Sequence, residues 1–84
     1  MKKYVIGVDL GGTKISTAIS TIEGNILANV VLPTKAEEGE VAVLGRIIQS
    51  IDEVIVGSST SIDEVEAIGI GSPGPLDAKK GIII

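Results

Sequence analysis

A chain of 84 residues forms at most one small domain, and at this size folding buries only about two-thirds of the surface exposed by the unfolded chain, so any core is small. Hydrophobic residues make up 44% while Tyr4 is the sole aromatic, so that core must be aliphatic; the lack of cysteine excludes disulfides and thiolate metal sites and fits a reducing, cytoplasmic setting. The net charge of −4 is spread along the chain, with no basic cluster beyond Lys2-Lys3 and Lys79-Lys80, which argues against nucleic acid as a partner. The apolar run after Met1-Lys2-Lys3 is cut by Asp9 and a glycine pair. It is too short and too polar to export the chain or hold it in a membrane.

Taken in order, Lys3 to Leu10 alternates with period two and predicts a strand, with Asp9 on the same face as Gly7. Ile15 to Ile22 predicts a second strand, with Ser16, Ala18 and Ser20 lining one side. Glu23-Gly24-Asn25 reads as a turn, and Ile26 to Leu32 as a third strand closed by Pro33. Short links between three strands predict an antiparallel meander. Lys35 to Gly39 reads as a polar loop.

From Glu40 the period becomes helical. Val41, Leu44, Ile47, Ile48, Ile51, Val54 and Ile55 form the expected apolar side, with Arg46, Gln49, Asp52 and Glu53 mostly opposite. Gly57 is the expected residue just past the helix, and Gly45 within it marks either a close contact with the sheet, the favoured reading, or a residue that is simply tolerated. Ser61-Ile62-Asp63-Glu64 has the form of a capping box and predicts one helical turn. Ala67 to Gly71 predicts a short buried strand, parallel to the first because a helix intervenes.

Two loops carry chemistry. In Asp9-Leu10-Gly11-Gly12-Thr13-Lys14, adjacent glycines are expected to turn with φ > 0 and to bring their N–H groups close to an anion. Thr13 offers a hydroxyl and Lys14 a positive charge. Asp9 is placed to hold a hydrated Mg²⁺, which favours oxygen ligands. The plainer alternative makes Gly11-Gly12 only the two-residue turn of a hairpin.

The second loop is Gly69-Ile70-Gly71-Ser72-Pro73-Gly74-Pro75-Leu76-Asp77. Its glycines match G-x-G-x-x-G, but two prolines bracket the last of them and no amphipathic helix follows, so it is not a dinucleotide fingerprint. Gly7 and Gly12 have P-loop spacing, yet Thr13-Lys14 reverses the usual order and a strand follows. The plain alternative is a rigid turn leading into a hairpin at Asp77 to Gly81. Asp77 itself reads as a turn residue rather than a catalytic base.

Together these two loops resemble the opening of the ROK family of bacterial sugar kinases and related repressors, and within it the glucokinases. The resemblance extends through the meander, the long helix, the Ser61 turn and the final Lys80-Gly81-Ile82 stretch. It implies an α/β, actin-like and ribonuclease-H-like ATPase fold, of which residues 1–84 supply a partial N-terminal lobe. It also implies transfer of the ATP γ-phosphoryl group to a hydroxyl of glucose or a related hexose. Gly7, Asp9, Gly11, Gly12, Thr13 and Lys14 are expected at the ATP phosphates, with Asp9 at Mg²⁺, and Ser72, Pro73 and Gly74 at the sugar. The family's base, an aspartate after an asparagine, and its Cys- and His-rich zinc segment have no counterpart here. The aliphatic Ile82-Ile83-Ile84 end, read as an unpaired strand, adds to the expectation of an inactive fragment without its C-terminal lobe. A repressor of the same family and a free-standing phosphate-binding module are the other readings. The first is disfavoured because only Met1 to Lys3 precede the first strand. Homo-oligomers are among the states left open.

Overall fold

The structure is a computed structural model that describes residues 3–71 and the backbone of residues 82–83. Three antiparallel strands come first, β1 (Tyr4–Leu10), β2 (Lys14–Thr21) and β3 (Ile26–Pro33). A 3-10 turn over Ala36–Glu38 replaces the expected polar loop and leads into α1 (Glu40–Gly57). A second 3-10 turn, Ile62–Glu64, precedes β4 (Val65–Gly71), which lies parallel to β1 as the crossover helix requires. The two-residue β5 (Ile82–Ile83) pairs antiparallel with β4 and gives the sheet order β3-β2-β1-β4-β5. The isoleucines read as an unpaired end are therefore paired at Ile82 and Ile83.

Period-two alternation sorts the sheet into two faces. On one, Ile6 and Val8 of β1 and Ile15, Thr17 and Ile19 of β2 are buried beneath α1. On the other, Gly7 and Asp9 are exposed beside the small residues Ser16 and Ala18. Ile15, Ile19 and Val54 are fully buried, each contributing roughly 1.5–3 kcal/mol. β3 departs from strict alternation: Ile19 pairs with Ala28 but Ser20 pairs with Ile26, so Leu27 is a bulge residue. The bulge moves Ile26 to the face opposite Ala28 and leaves both Ile26 and Leu27 exposed.

The helix settles on a different face from the one its hydrophobic residues suggest. Val43, Ile47, Ser50, Ile51, Val54 and Ile55 turn toward the sheet, while Val41 is 86% exposed and Leu44 and Ile48 more than half exposed. The reason is that two polar residues occupy inward positions and find partners there. Ser50 bonds Thr17 across the interface at 2.7 Å and donates to the Ile47 carbonyl at 2.7 Å. Arg46, expected on the solvent side, reaches back to the end of β3. Paired in this way, buried hydroxyls cost little, whereas an orphaned one costs about 1–3 kcal/mol.

Three smaller expectations change. Gly45 has no heavy atom within 4 Å of where a Cβ would stand, so no close sheet contact requires it. Gly57 is the last residue of α1, and the left-handed residue after the helix is Ser59, with φ 58°. Ser61 accepts from the Asp63 N–H at 3.3 Å while the Glu64 N–H bonds the Ser61 carbonyl at 2.9 Å, so only half of the capping box forms, within a 3-10 turn.

Candidate functional site

The parallel pairing of β1 with β4 brings their carboxyl ends together, Asp9 standing opposite Gly71 in the register. In α/β sheets ligands gather outside the carboxyl ends of parallel strands. The residues expected at the sugar, Ser72, Pro73 and Gly74, and the turn residue Asp77 lie outside the described residues. What the structure does assemble is the first motif. Gly7 and Asp9 project from the open face of β1, Gly11, Gly12 and Thr13 form the link to β2, and Lys14 begins that strand.

The link differs from the expected turn in two ways. Leu10 pairs with Ile15 and the Gly11 N–H donates to the Lys14 carbonyl at 2.9 Å, so the tip is Gly12-Thr13 rather than Gly11-Gly12. Neither Gly11 nor Gly12 has a positive φ. Glycine is demanded at Gly11 by close approach instead, since a Cβ there would stand 3.0 Å from the Lys14 carbonyl oxygen. At Gly12 nothing lies within 4 Å of the Cβ position. The N–H groups of Gly12 and Thr13 donate to no group among the described residues, and both residues are exposed. Free N–H groups in a turn are the kind of donor that anion sites use.

Support for this tip comes from a residue the motif does not contain. Thr34, just past β3 and 3% exposed, donates its hydroxyl to the Gly11 carbonyl at 2.7 Å and its N–H to the Thr13 carbonyl at 2.9 Å. The Thr34 carbonyl in turn accepts from Arg46 Nη1 at 2.7 Å, and Arg46 Nη2 pairs with Glu38. Sequence reading missed both residues. The only signal was a polar pair, Thr34 and Arg46, beside apolar patterns that claimed the attention.

Charge at the site is unspent. Asp9 and Lys14 take part in no ion pair or side-chain hydrogen bond among the described residues. An exposed, uncommitted carboxylate suits Mg²⁺, which is held by one or two carboxylates with phosphate oxygens and water completing the shell. No three potential metal-binding side chains gather among the described residues, so an all-protein metal cage is not what this arrangement offers. Behind the hairpin, between Gly11 and Gly12 on one side and Val43, Leu44 and Ile47 on the other, runs an apolar cleft of about 480 Å³.

The model of the ROK family matches residues 5–84. The chain belongs to the ROK family. Its relatives within it include the glucokinase of Thermotoga maritima, 42% identical over 82 residues, covering 98% of this chain and 24% of the relative. The glucokinase of Halalkalibacterium halodurans is 31% identical over 81 residues, covering 96% and 24%. The fold superimposes on a ROK family glucokinase from Streptomyces griseus, solved in complex with glucose and AMPPNP, with a TM-score of 0.70 and 32% identity over 84% of this chain and 20% of that one. This ROK chain thus spans about a quarter of the length of the curated relatives it matches. Its mixed sheet and helix are those of the N-terminal lobe of the actin-like ROK kinases. Among the described residues no helix is long and apolar enough to cross a membrane.

Proposed function

We propose that this chain is the phosphate-holding part of the N-terminal lobe of an ATP-dependent sugar kinase of the glucokinase type, acting in the cytoplasm. The observation that carries the reading is the hairpin itself. Its Gly12 and Thr13 N–H groups stand free, with Asp9 and Lys14 uncommitted around them, in a chain whose ROK relatives are glucokinases.

Phosphoryl transfer asks the protein mainly for positioning and charge neutralisation. In this reading the Gly12 and Thr13 N–H groups and the Thr13 hydroxyl donate to phosphate oxygens, and Lys14 adds positive charge at their edge. Gly7 keeps the strand face beside Asp9 clear. Asp9 would hold Mg²⁺, which would supply charge neutralisation at the phosphates. Ser72, Pro73 and Gly74 follow β4, whose last residue stands opposite Asp9, and are assigned to the border of the sugar. The base that takes the sugar's hydroxyl proton, and the lobe that closes over the nucleotide, are assigned to the three-quarters of the relatives' length that this chain does not cover.

The test is MgATP-dependent phosphorylation by the whole protein over a panel of hexoses. Turnover is expected with glucose or a close relative. A protein that phosphorylates no sugar in the panel, yet binds one and changes its affinity for DNA, contradicts the kinase reading.

A further inference from the structure

Resting on the kinase reading, we infer that Thr34 is a positioning residue for ATP, aiming the hairpin's Gly12 N–H at phosphate from behind. A trans peptide unit points its carbonyl and the next residue's N–H in opposite directions. The Gly11 carbonyl is drawn back by the Thr34 hydroxyl at 2.7 Å, so the Gly12 N–H of the same peptide unit points away from Thr34, toward the open side of the tip. The Thr13 carbonyl is drawn back by the Thr34 N–H at 2.9 Å, which turns the Lys14 N–H away from Thr34 and toward the β1 side of the hairpin. One residue thereby orients two peptide planes of a four-residue loop. Its main-chain bond resembles a continuation of the β2–β3 ladder; its side-chain bond does not, and it is that bond which governs Gly12.

Thr34 is itself held. Arg46 grips its carbonyl at 2.7 Å from the first turns of α1 and is steadied by Glu38 on the intervening 3-10 turn. The hydroxyl is buried and fully committed, so it does not reach the ligand. Its contribution is to restrict which way an otherwise permissive glycine peptide faces, and a preorganised donor loses less freedom on binding than a free one. Removing the hydroxyl should therefore act on nucleotide affinity and leave sugar affinity alone.

The experiment is steady-state kinetics on the whole protein carrying Thr34→Val, which keeps the shape and main-chain N–H and removes only the hydroxyl, beside Thr34→Ser. Loss of one hydrogen bond's worth of positioning corresponds to a rise of about three- to tenfold in KM for MgATP. We expect that rise in the valine variant with KM for the sugar and kcat within twofold, and a return to the parent value in the serine variant. An unchanged KM for MgATP overturns the inference. So does a parallel worsening of both KM values that serine fails to restore, because that is the pattern of a general loss of structure. If Thr34→Val does not accumulate as folded protein, Arg46→Met, which loosens Thr34 without touching the hairpin, carries the same test with the same criteria. A parent protein with no MgATP-dependent turnover on any sugar overturns the kinase reading, and this inference with it; an active parent with an unaffected valine variant overturns this inference alone.

Discussion

The two hairpin turns of the meander solve the same problem in opposite ways. At Thr21 to Asn25 the turn is held by its own residues: the Gly24 N–H bonds the Thr21 carbonyl at 3.0 Å, the Thr21 N–H bonds the Asn25 carbonyl at 2.9 Å, and the Asn25 N–H bonds the Thr21 hydroxyl at 3.1 Å. Gly24, with φ 100°, takes a backbone conformation that other residues reach only with strain. At Gly11 to Lys14 no residue has such a φ, and support is borrowed from Thr34, 23 residues away. The turn that only reverses the chain is held by its own residues. The turn proposed to hold phosphate is braced from a distant one.

That contrast can be broken or sharpened by substitution. The largest effect is expected at Asp9→Asn, which removes the charge proposed to hold Mg²⁺ and should lower kcat/KM of the whole protein by about 100-fold or more. Because Asp9 has no partner in the described fold, its unfolding free energy should hardly move. Next comes Gly11→Ala, whose Cβ would press on the Lys14 carbonyl oxygen from 3.0 Å. Overpacking of this kind costs about 1–3 kcal/mol, measurable by denaturant unfolding. Gly12→Ala should divide the two properties cleanly, sparing stability because nothing stands within 4 Å while raising KM for MgATP. At the other turn Gly24→Ala should cost about 1–2 kcal/mol of stability with no change in either KM. The smallest effect is expected for Thr21→Val, an exposed bond worth about 0.5 kcal/mol and again silent in kinetics. Kinetic defects at Gly24 or Thr21 comparable to those at Gly12 would remove the distinction between the turns.

Much of this was legible in the sequence, for reasons that name its limits. Alternation in β1 and β2 gave the right strands and faces because each has one buried side, so a wrong register would expose Ile6, Val8, Ile15 and Ile19 together. The Asp9 to Lys14 motif announced a tight glycine hairpin through residue types alone. Its turn geometry was not readable, since glycine permits a positive φ without requiring one, and here the constraint was steric approach at Gly11. The helix face was misread because seven apolar side chains outweighed Arg46 and Ser50, whose inward placement depends on Thr34 and Thr17 in other elements. The brace was invisible for the same reason: its partners are brought together only by the third dimension. The bulge at Leu27 leaves no mark in a run of residues that suits a strand in either register.

The most direct test of the account compares the two turns in one titration. In the ¹⁵N-labelled whole protein, MgADP or a non-hydrolysable ATP analogue is added and the backbone amide resonances of Gly12, Thr13, Gly24 and Asn25 are followed. The account predicts downfield movement of the Gly12 and Thr13 amide protons as they engage phosphate, with Gly24 and Asn25 stationary. Gly12 and Thr13 resonances that remain in place at saturating nucleotide, while others move, would contradict it.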